Sequence, residues 1–305
     1  MPSLNDISLR QLEYLVAVAD TLGFRKAAER CHVSQPALSA QIQQLEEVLG
    51  VQVFERDKRR VMLTEAGKEL VARARRVLTE AGDILGAAAR LGDFFAGPLR
   101  LGVIPTVAPY VLPDVVPALA ARYPRLRLLL REEKTESLVR ALDEGRLDAA
   151  LMALDEELGE LEHAVIAEDA FVVAVPPGHR LEKKRTVTVK DLEDEDVLLL
   201  DDGHCFRGQA LALCTRAGAR EVDFRATSLT TLAQMVMVGS AITLLPALST
   251  ALENRQGRLA VRPMVAPAPS RTLVLAWRKG FPHPEALREL AGALKAAWPG
   301  AKAAK

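Results

Sequence analysis

Two cysteines nine residues apart carry the most distinctive chemistry in this sequence. They stand in LLLDDGHCFRGQALALCTRAGA, residues 198–219. Leu198 to Leu200 reads as a buried strand, Asp202 and Gly203 as a turn, and the rest as a helix closed by Gly218. Cys205 then falls near a helix N-terminus between His204 and Arg207. The positive helix end and cationic neighbours favour a thiolate, the form that attacks peroxide, and the nearby acids oppose it. If both cysteines share one helix, their Cα atoms lie about 13–14 Å apart, whereas a disulfide needs them within about 7 Å. A bond therefore requires the segment to unwind. Oxidation of Cys205 to a sulfenic acid, attack by Cys214 and a refolded loop would make a switch. Two unrelated buried cysteines would show the same spacing, so spacing alone leaves both readings open. His204 has no second His, Asp or Glu at a ligand spacing on the same helix. No metal and no cofactor are expected.

The elements around this segment alternate between strand and helix. LRLGVI, Val111 to Arg122, LRLLLRE, Ser137 to Leu142 and DAALMAL read as βαβαβ with short crossovers, which predicts a mainly parallel sheet. A second unit runs from about Asp169 to Ala260. RTLVLAW and a final helix, Glu285 to Ala297, return towards the first. The expected fold class is α/β, with two lobes around a cleft, as in periplasmic binding proteins. Strand ends should supply the cleft: Thr106, Thr135 capping one helix, and Ser228 capping another.

The N-terminal part has a different pattern. Leu9 to Ala19 carries an apolar face, Gly23 ends that helix, and Phe24 to Arg30 forms a second whose Ala27 and Ala28 permit close packing. Ser34 can cap a third helix with Pro36 in its first turn, where a missing N–H costs nothing. Leu38, Ile42, Leu45 and Leu49 share one arc of it. Pro36, Ser39 and Gln43 lie on another face, where small and amide side chains can enter a major groove. VQVFERDKRRVMLT then reads as two short strands around a charged tip, a wing able to touch phosphates. Thr64 caps a long helix in which Leu70, Ala74, Val77, Ala81, Ile84, Ala88 and Leu91 form a heptad seam, the pattern of a paired helix.

Charge totals give no hint of nucleic acid, because Lys+Arg and Asp+Glu both number 40. Their distribution does. Residues 53–76 hold eight bases against four acids, and Asp191 to Asp202 holds seven acids and no base. A positive N-terminal edge suits docking onto DNA. No apolar run reaches bilayer length, and the first residues lack a signal peptide's apolar core, so a cytoplasmic protein without a membrane partner is expected. Three cysteines are too few for a secreted disulfide scaffold.

Residues 9–68, especially FRKAAERCHVSQPALSAQIQQLEEVLGVQVFERDKRRVMLTEAG, resemble the LysR-type transcriptional regulators. DDGHCFRGQALALC, FRATSLTTLAQMV, ITLLPAL and GVIPTVAPYVLP resemble the peroxide-sensing members of that family. The resemblance implies a winged helix-turn-helix at 1–66, a linker and dimerisation helix at 67–96, and a two-lobed regulatory domain at 97–305. It implies double-stranded DNA, a second copy of the chain (as dimer and tetramer) and RNA polymerase as partners, and hydrogen peroxide as signal. Carried over by position, Gln35, Pro36, Ser39 and Gln43 would lie at the groove, with Arg56 near phosphate. Cys205 would be the peroxidatic cysteine and Cys214 the resolving one. Thr106, Thr135, His204, Arg207 and Arg271 would line or support the peroxide pocket. Threonine hydroxyls can orient a peroxide, and arginine can stabilise charge on the leaving oxygen. One residue departs from the pattern: Gly208 stands where these proteins often carry an acid. Two other readings compete. In one, Thr106, Thr227 and Ser228 hold a small carboxylate metabolite, with the cysteines incidental. A thiol peroxidase, an enzyme, fits the cysteines but not the DNA-binding half.

Overall fold

The computed structural model describes residues 6–56, 61–89, 93–154, 158–239 and 241–299. It divides into an N-terminal unit and a larger one that holds the cysteine pair.

In the N-terminal unit, α1 (Leu9–Thr21), α2 (Phe24–Arg30) and α3 (Gln35–Leu49) surround a core that includes Leu15, Val18, Ala27, Leu38, Ile42 and Leu45. Local signals start the helices. Ser8 and Gln11 form a reciprocal capping box on α1. Ser34 accepts from the Ala37 amide, with Pro36 in the first turn of α3. The wing pairs β1 (Phe54–Arg56) with β2 (Val61–Leu63) in antiparallel register. Glu46 of α3 accepts from the amides of Val53 and Phe54 at 2.8 and 3.1 Å, which fixes the wing to the third helix.

Thr64 caps α4 (Glu65–Ala89) by accepting from the Gly67 amide at 2.9 Å. The expected heptad seam divides here. Ala74 is buried in the unit's own core and Leu70 packs against it. Val77 and Ile84 are 46% and 71% exposed. The free part of the seam therefore begins later than the pattern alone suggests. The side chains of Ala88 and Leu91 lie outside the described residues.

The larger unit is two α/β lobes. The first contains β3 (Pro98–Val103), α5 (Ala108–Arg122), β4 (Arg127–Glu132), α6 (Thr135–Asp143) and β5 (Ala149–Ala153). The long strand β6 (Glu162–Val175) then leads into the second: β7 (Asp196–Leu200), α7 (Cys205–Ala217), β8 (Arg220–Ala226), α8 (Leu229–Met237), β9 (Ile242–Pro246), α9 (Thr250–Glu253) and β10 (Ala260–Pro263). The chain returns through β11 (Ser270–Trp277) and ends in α10 (Pro284–Ala296). The strands run β4-β3-β5-β11-β6-β9-β7-β8, with β10 also on β6.

The βαβ units are parallel as expected, but the sheet is mixed. β11 runs antiparallel to β5 and β6, and β6 antiparallel to β9 and β10. The reason is topological. β6 pairs with β11 through its first part and with β9 and β10 through its last, so one strand serves both lobes. Each lobe has its own core.

Candidate functional site

α7 starts where the sequence places it. Gly203 has φ +84, a left-handed conformation that lets the chain turn out of β7. His204 is the N-cap and Cys205 the first helical residue, and Gly218 ends the helix with φ 76. Both cysteines are on this helix, and both are free and buried. Nine residues at 100° each put them on opposite faces, about 13–14 Å apart along the axis. Their surroundings agree: Cys205 belongs to the core of the first lobe and Cys214 to that of the second. Burial, with the Glu221 charge adding, pushes the Cys214 thiol up to about 11. Cys31, the third cysteine, is also free and ends α2.

Of the expected pocket residues, Thr106 and His204 line one concavity and His204 and Arg207 another, whereas Arg271 and Thr135 line neither. Arg271 is fully buried and donates to Thr106 Oγ1 at 2.7 Å, to the Thr106 carbonyl at 3.0 Å and to Asp169 at 3.0 Å. Its guanidinium also lies over the Phe206 ring, 5.3 Å from the centroid. Asp169 accepts in turn from the Leu248 amide at 3.0 Å. Thr106 and His204 line a cleft of about 260 Å³ between the lobes, together with Tyr110, Lys134 and Ser228.

The neighbouring concavity, of about 260 Å³, is lined by His204, Cys205, Arg207 and Gly208. Arg207 is held by Asp202 at 2.7 Å, Glu221 at 2.8 Å and the Leu200 carbonyl at 3.1 Å. Its charge is thus already matched by two carboxylates. His204 is buried, and that burial, with the nearby Lys134 charge, lowers its pKa and favours the neutral ring. The acids that the sequence sets against these cationic neighbours include Asp202, which with Glu221 holds Arg207 directly.

Thr135 does not cap α6. It is the first helical residue, because the Lys134 carbonyl accepts the first helical bond, from Leu138. Its hydroxyl is buried without a hydrogen-bond partner, and so is Nε2 of His204, although that ring is held by the Thr227 carbonyl. The two atoms stand at the starts of different helices, α6 and α7, and only His204 lines the concavity beside Cys205. Ser228 caps α8 as expected, accepting from the Thr231 amide at 3.2 Å. Gly208 leaves open space where a Cβ would stand, so nothing in the packing excludes a larger residue.

Sequence reasoning missed Asp169, Lys134, Glu221 and the contact of Tyr110 with Glu253, where the phenol donates at 2.6 Å across the lobes. A buried arginine calls for a carboxylate, so Asp169 was inferable as a type but not as a position.

On α3, Gln35, Pro36 and Gln43 are exposed and Ser39 half-buried. Gln43 donates to Glu47 at 3.3 Å. Arg56 is on β1, but its side chain and the wing tip, 57–60, lie outside the described residues. Among the described residues, no helix is long and apolar enough to cross a membrane and no cluster of His, Cys, Asp or Glu suits a metal ion.

A helix-turn-helix with a wing, joined to a two-lobed α/β domain, defines a class of DNA-binding regulator. Residues 9–68 match the bacterial regulatory helix-turn-helix proteins of the lysR family, and residues 92–299 the LysR substrate binding domain. The chain belongs to the LysR family. Within it, 291 residues are 43% identical to the DNA-binding transcriptional dual regulator OxyR of Escherichia coli (strain K12), covering 95% of each protein. A cysteine variant of full-length OxyR from Pseudomonas aeruginosa superposes with TM-score 0.76 at 36% identity, covering 95% of both chains. An H2O2-bound cysteine mutant of Corynebacterium glutamicum OxyR gives 0.65 at 34% identity, covering 95% of this chain and 94% of that one.

Proposed function

We propose that this chain is a hydrogen-peroxide-responsive transcription regulator switched by a reversible bond between Cys205 and Cys214. The observation that carries the reading is the placement of the pair: one helix, opposite faces and two separate cores. The relatives include proteins named hydrogen peroxide-inducible genes activators, and one similar structure holds H2O2.

The chemistry runs in two steps. The Cys205 thiolate attacks one peroxide oxygen, the O–O bond breaks, and the other oxygen leaves as water once protonated. Sulfur is oxidised to a sulfenic acid and peroxide is reduced. Cys214 then attacks the Cys205 sulfur, the S–O bond breaks, and a second water leaves with the Cys214 proton. The second step needs the helix to open, because a disulfide cannot span opposite faces. Opening removes Cys205 from the first lobe's core and so alters how that lobe packs.

At the other end, the exposed amides of α3 enter the major groove and the wing meets phosphate. The exposed Val77 and Ile84 of α4 support pairing of two copies, which matches two half-sites. A carboxylate metabolite in the inter-lobe cleft fits less well. Glu132 and Glu133 line the same cleft beside Lys134, so two carboxylates there outnumber one ammonium.

Thiols are counted before and after one equivalent of peroxide in wild type, C205S and C214S. Wild type should lose two, C205S none, and C214S one, leaving a sulfenic acid that a trapping reagent captures. An unchanged count in wild type overturns the reading. For the DNA end, Gln43→Ala should weaken operator binding about tenfold, the scale of one base contact, and random-sequence binding much less. Equal loss on both in a titration would remove Gln43 from the base-facing set.

A further inference from the structure

We propose that Lys134 is a positioning residue that straps the turn ahead of Cys205 to the first lobe and so sets how readily the reduced arrangement gives way. This rests on the thiol-switch reading above. Lys134 is two residues past the end of β4, and its backbone is anchored in the first lobe on both sides. The Glu133 amide donates to the Val103 carbonyl at 3.2 Å, and the Lys134 carbonyl accepts from Leu138 of α6. From that anchor its ammonium crosses to the second lobe. It donates to the Asp202 carbonyl at 2.6 Å and lies 3.4 Å from the Asp201 carboxylate. Its stem passes over Gly203, close enough that a Cβ there would come within 3.1 Å of Cδ.

The turn thus has restraints of two kinds. Arg207 holds Asp202, but Arg207 is on α7 and its other partners are on β7 and β8, so that contact belongs to the second lobe. Lys134 holds the same turn from the opposite lobe. Bringing Cys205 to Cys214 requires the start of α7 to leave the first lobe's core. Any bond from that lobe to residues 201–203 opposes the move. An ammonium-to-carbonyl bond is charge-assisted and stronger than a neutral one. Half-exposed as it is, it holds the turn without sealing it.

The test uses the full-length protein, with K134M keeping the apolar stem and K134R keeping a cationic donor. Each is equilibrated with reduced and oxidised glutathione, and the Cys205–Cys214 disulfide is quantified by trapping and mass spectrometry. K134M should shift the equilibrium towards the disulfide by about tenfold, the scale of one charge-assisted hydrogen bond, with K134R close to wild type. Hydrogen exchange on the reduced proteins should quicken at 201–207 in K134M alone. K134M matching wild type in both measurements, or K134R shifting as far as K134M, overturns the proposal. Faster exchange throughout the larger unit would mark a merely structural role and overturns it too. Glutathione titration needs no peroxide, so a chain that ignores peroxide still reports on the strap. If wild type forms no disulfide at all, the switch reading falls, and exchange at 201–207 then decides the strap.

Discussion

At its first residue α7 places Cys205 beside His204, Arg207 and an open concavity. Nine residues on, it places Cys214 among Phe206, Ala210 and Leu213 in the second lobe's core, its thiol raised to about 11 by burial. The first cysteine is at a helix end, next to His204, whose buried Nε2 has no hydrogen-bond partner among the described residues. The second is in the last turn of the helix, in apolar surroundings, where a thiol stays protonated and unreactive. One helix can therefore impose an order of events. On the proposed switch reading, Cys205 would meet a small oxidant while the fold is intact, and Cys214 would become a nucleophile only after the helix opens.

The comparison breaks outright if Cys214 reacts first. In the C205S protein, peroxide should leave Cys214 untouched while the fold is native, an all-or-none contrast with C214S read by mass spectrometry. Disturbing the Cys205 end from below gives the next largest effect. Arg271 packs on Phe206 and pairs with Asp169 inside the protein, so Arg271→Met leaves a buried carboxylate without its cation. Such losses cost about 3–5 kcal/mol, which denaturant unfolding of the reduced protein should register. A change below about 1 kcal/mol would mean that Asp169 finds water or a proton easily.

The Cys214 end makes its own prediction through pH. An unfolded thiol titrates near 8.5, well below the raised native value. Between these values the unfolded chain has lost a proton that the folded chain keeps. Stability from this group is therefore fully present below the lower value and is lost as pH rises towards about 11. The stability difference between wild type and C214A should fall by about 1–2 kcal/mol from pH 8 to pH 10. A C205A control isolates the effect to the second cysteine. A flat difference would show that Cys214 is wetter than its packing implies.

The contrast between the two ends was only partly legible in the sequence. Helix starts were, because capping is local: Ser34 with Pro36, and Gly203 ahead of Cys205, act over a few residues. The two-lobed fold followed from alternating strand and helix, but the antiparallel return of β11 onto β5 and β6 did not. Arg271 meets Asp169 from 102 residues away, and Arg207 meets Glu221 across two elements. No periodicity encodes such pairings. Sequence proximity put Arg207 beside Cys205, and the carboxylates that absorb its charge came from the fold. The heptad on α4 shows the same limit. Its spacing is uniform, yet Ala74 serves the unit's own core and Ile84 is exposed.

Gly208 offers the smallest and most selective perturbation of the Cys205 end. It is in the first turns of α7, lines the concavity and has no atom within 4 Å of a built Cβ. Gly208→Asp should therefore fit without strain. Glycine is a poor helix residue, and a carboxylate near a helix N-terminus is favourable, so the reduced protein should gain about 0.5–1 kcal/mol. The new acid also adds a negative charge on the side where Cys205 must become a thiolate, and it competes with Asp202 and Glu221 for Arg207. If it draws Arg207 towards the concavity, peroxide should consume the first thiol faster than in wild type. If Arg207 stays with its present partners, the extra charge slows that reaction. Stopped-flow thiol loss at fixed pH separates the two outcomes. The present geometry, with Arg207 held by two carboxylates and a carbonyl, predicts the slower one.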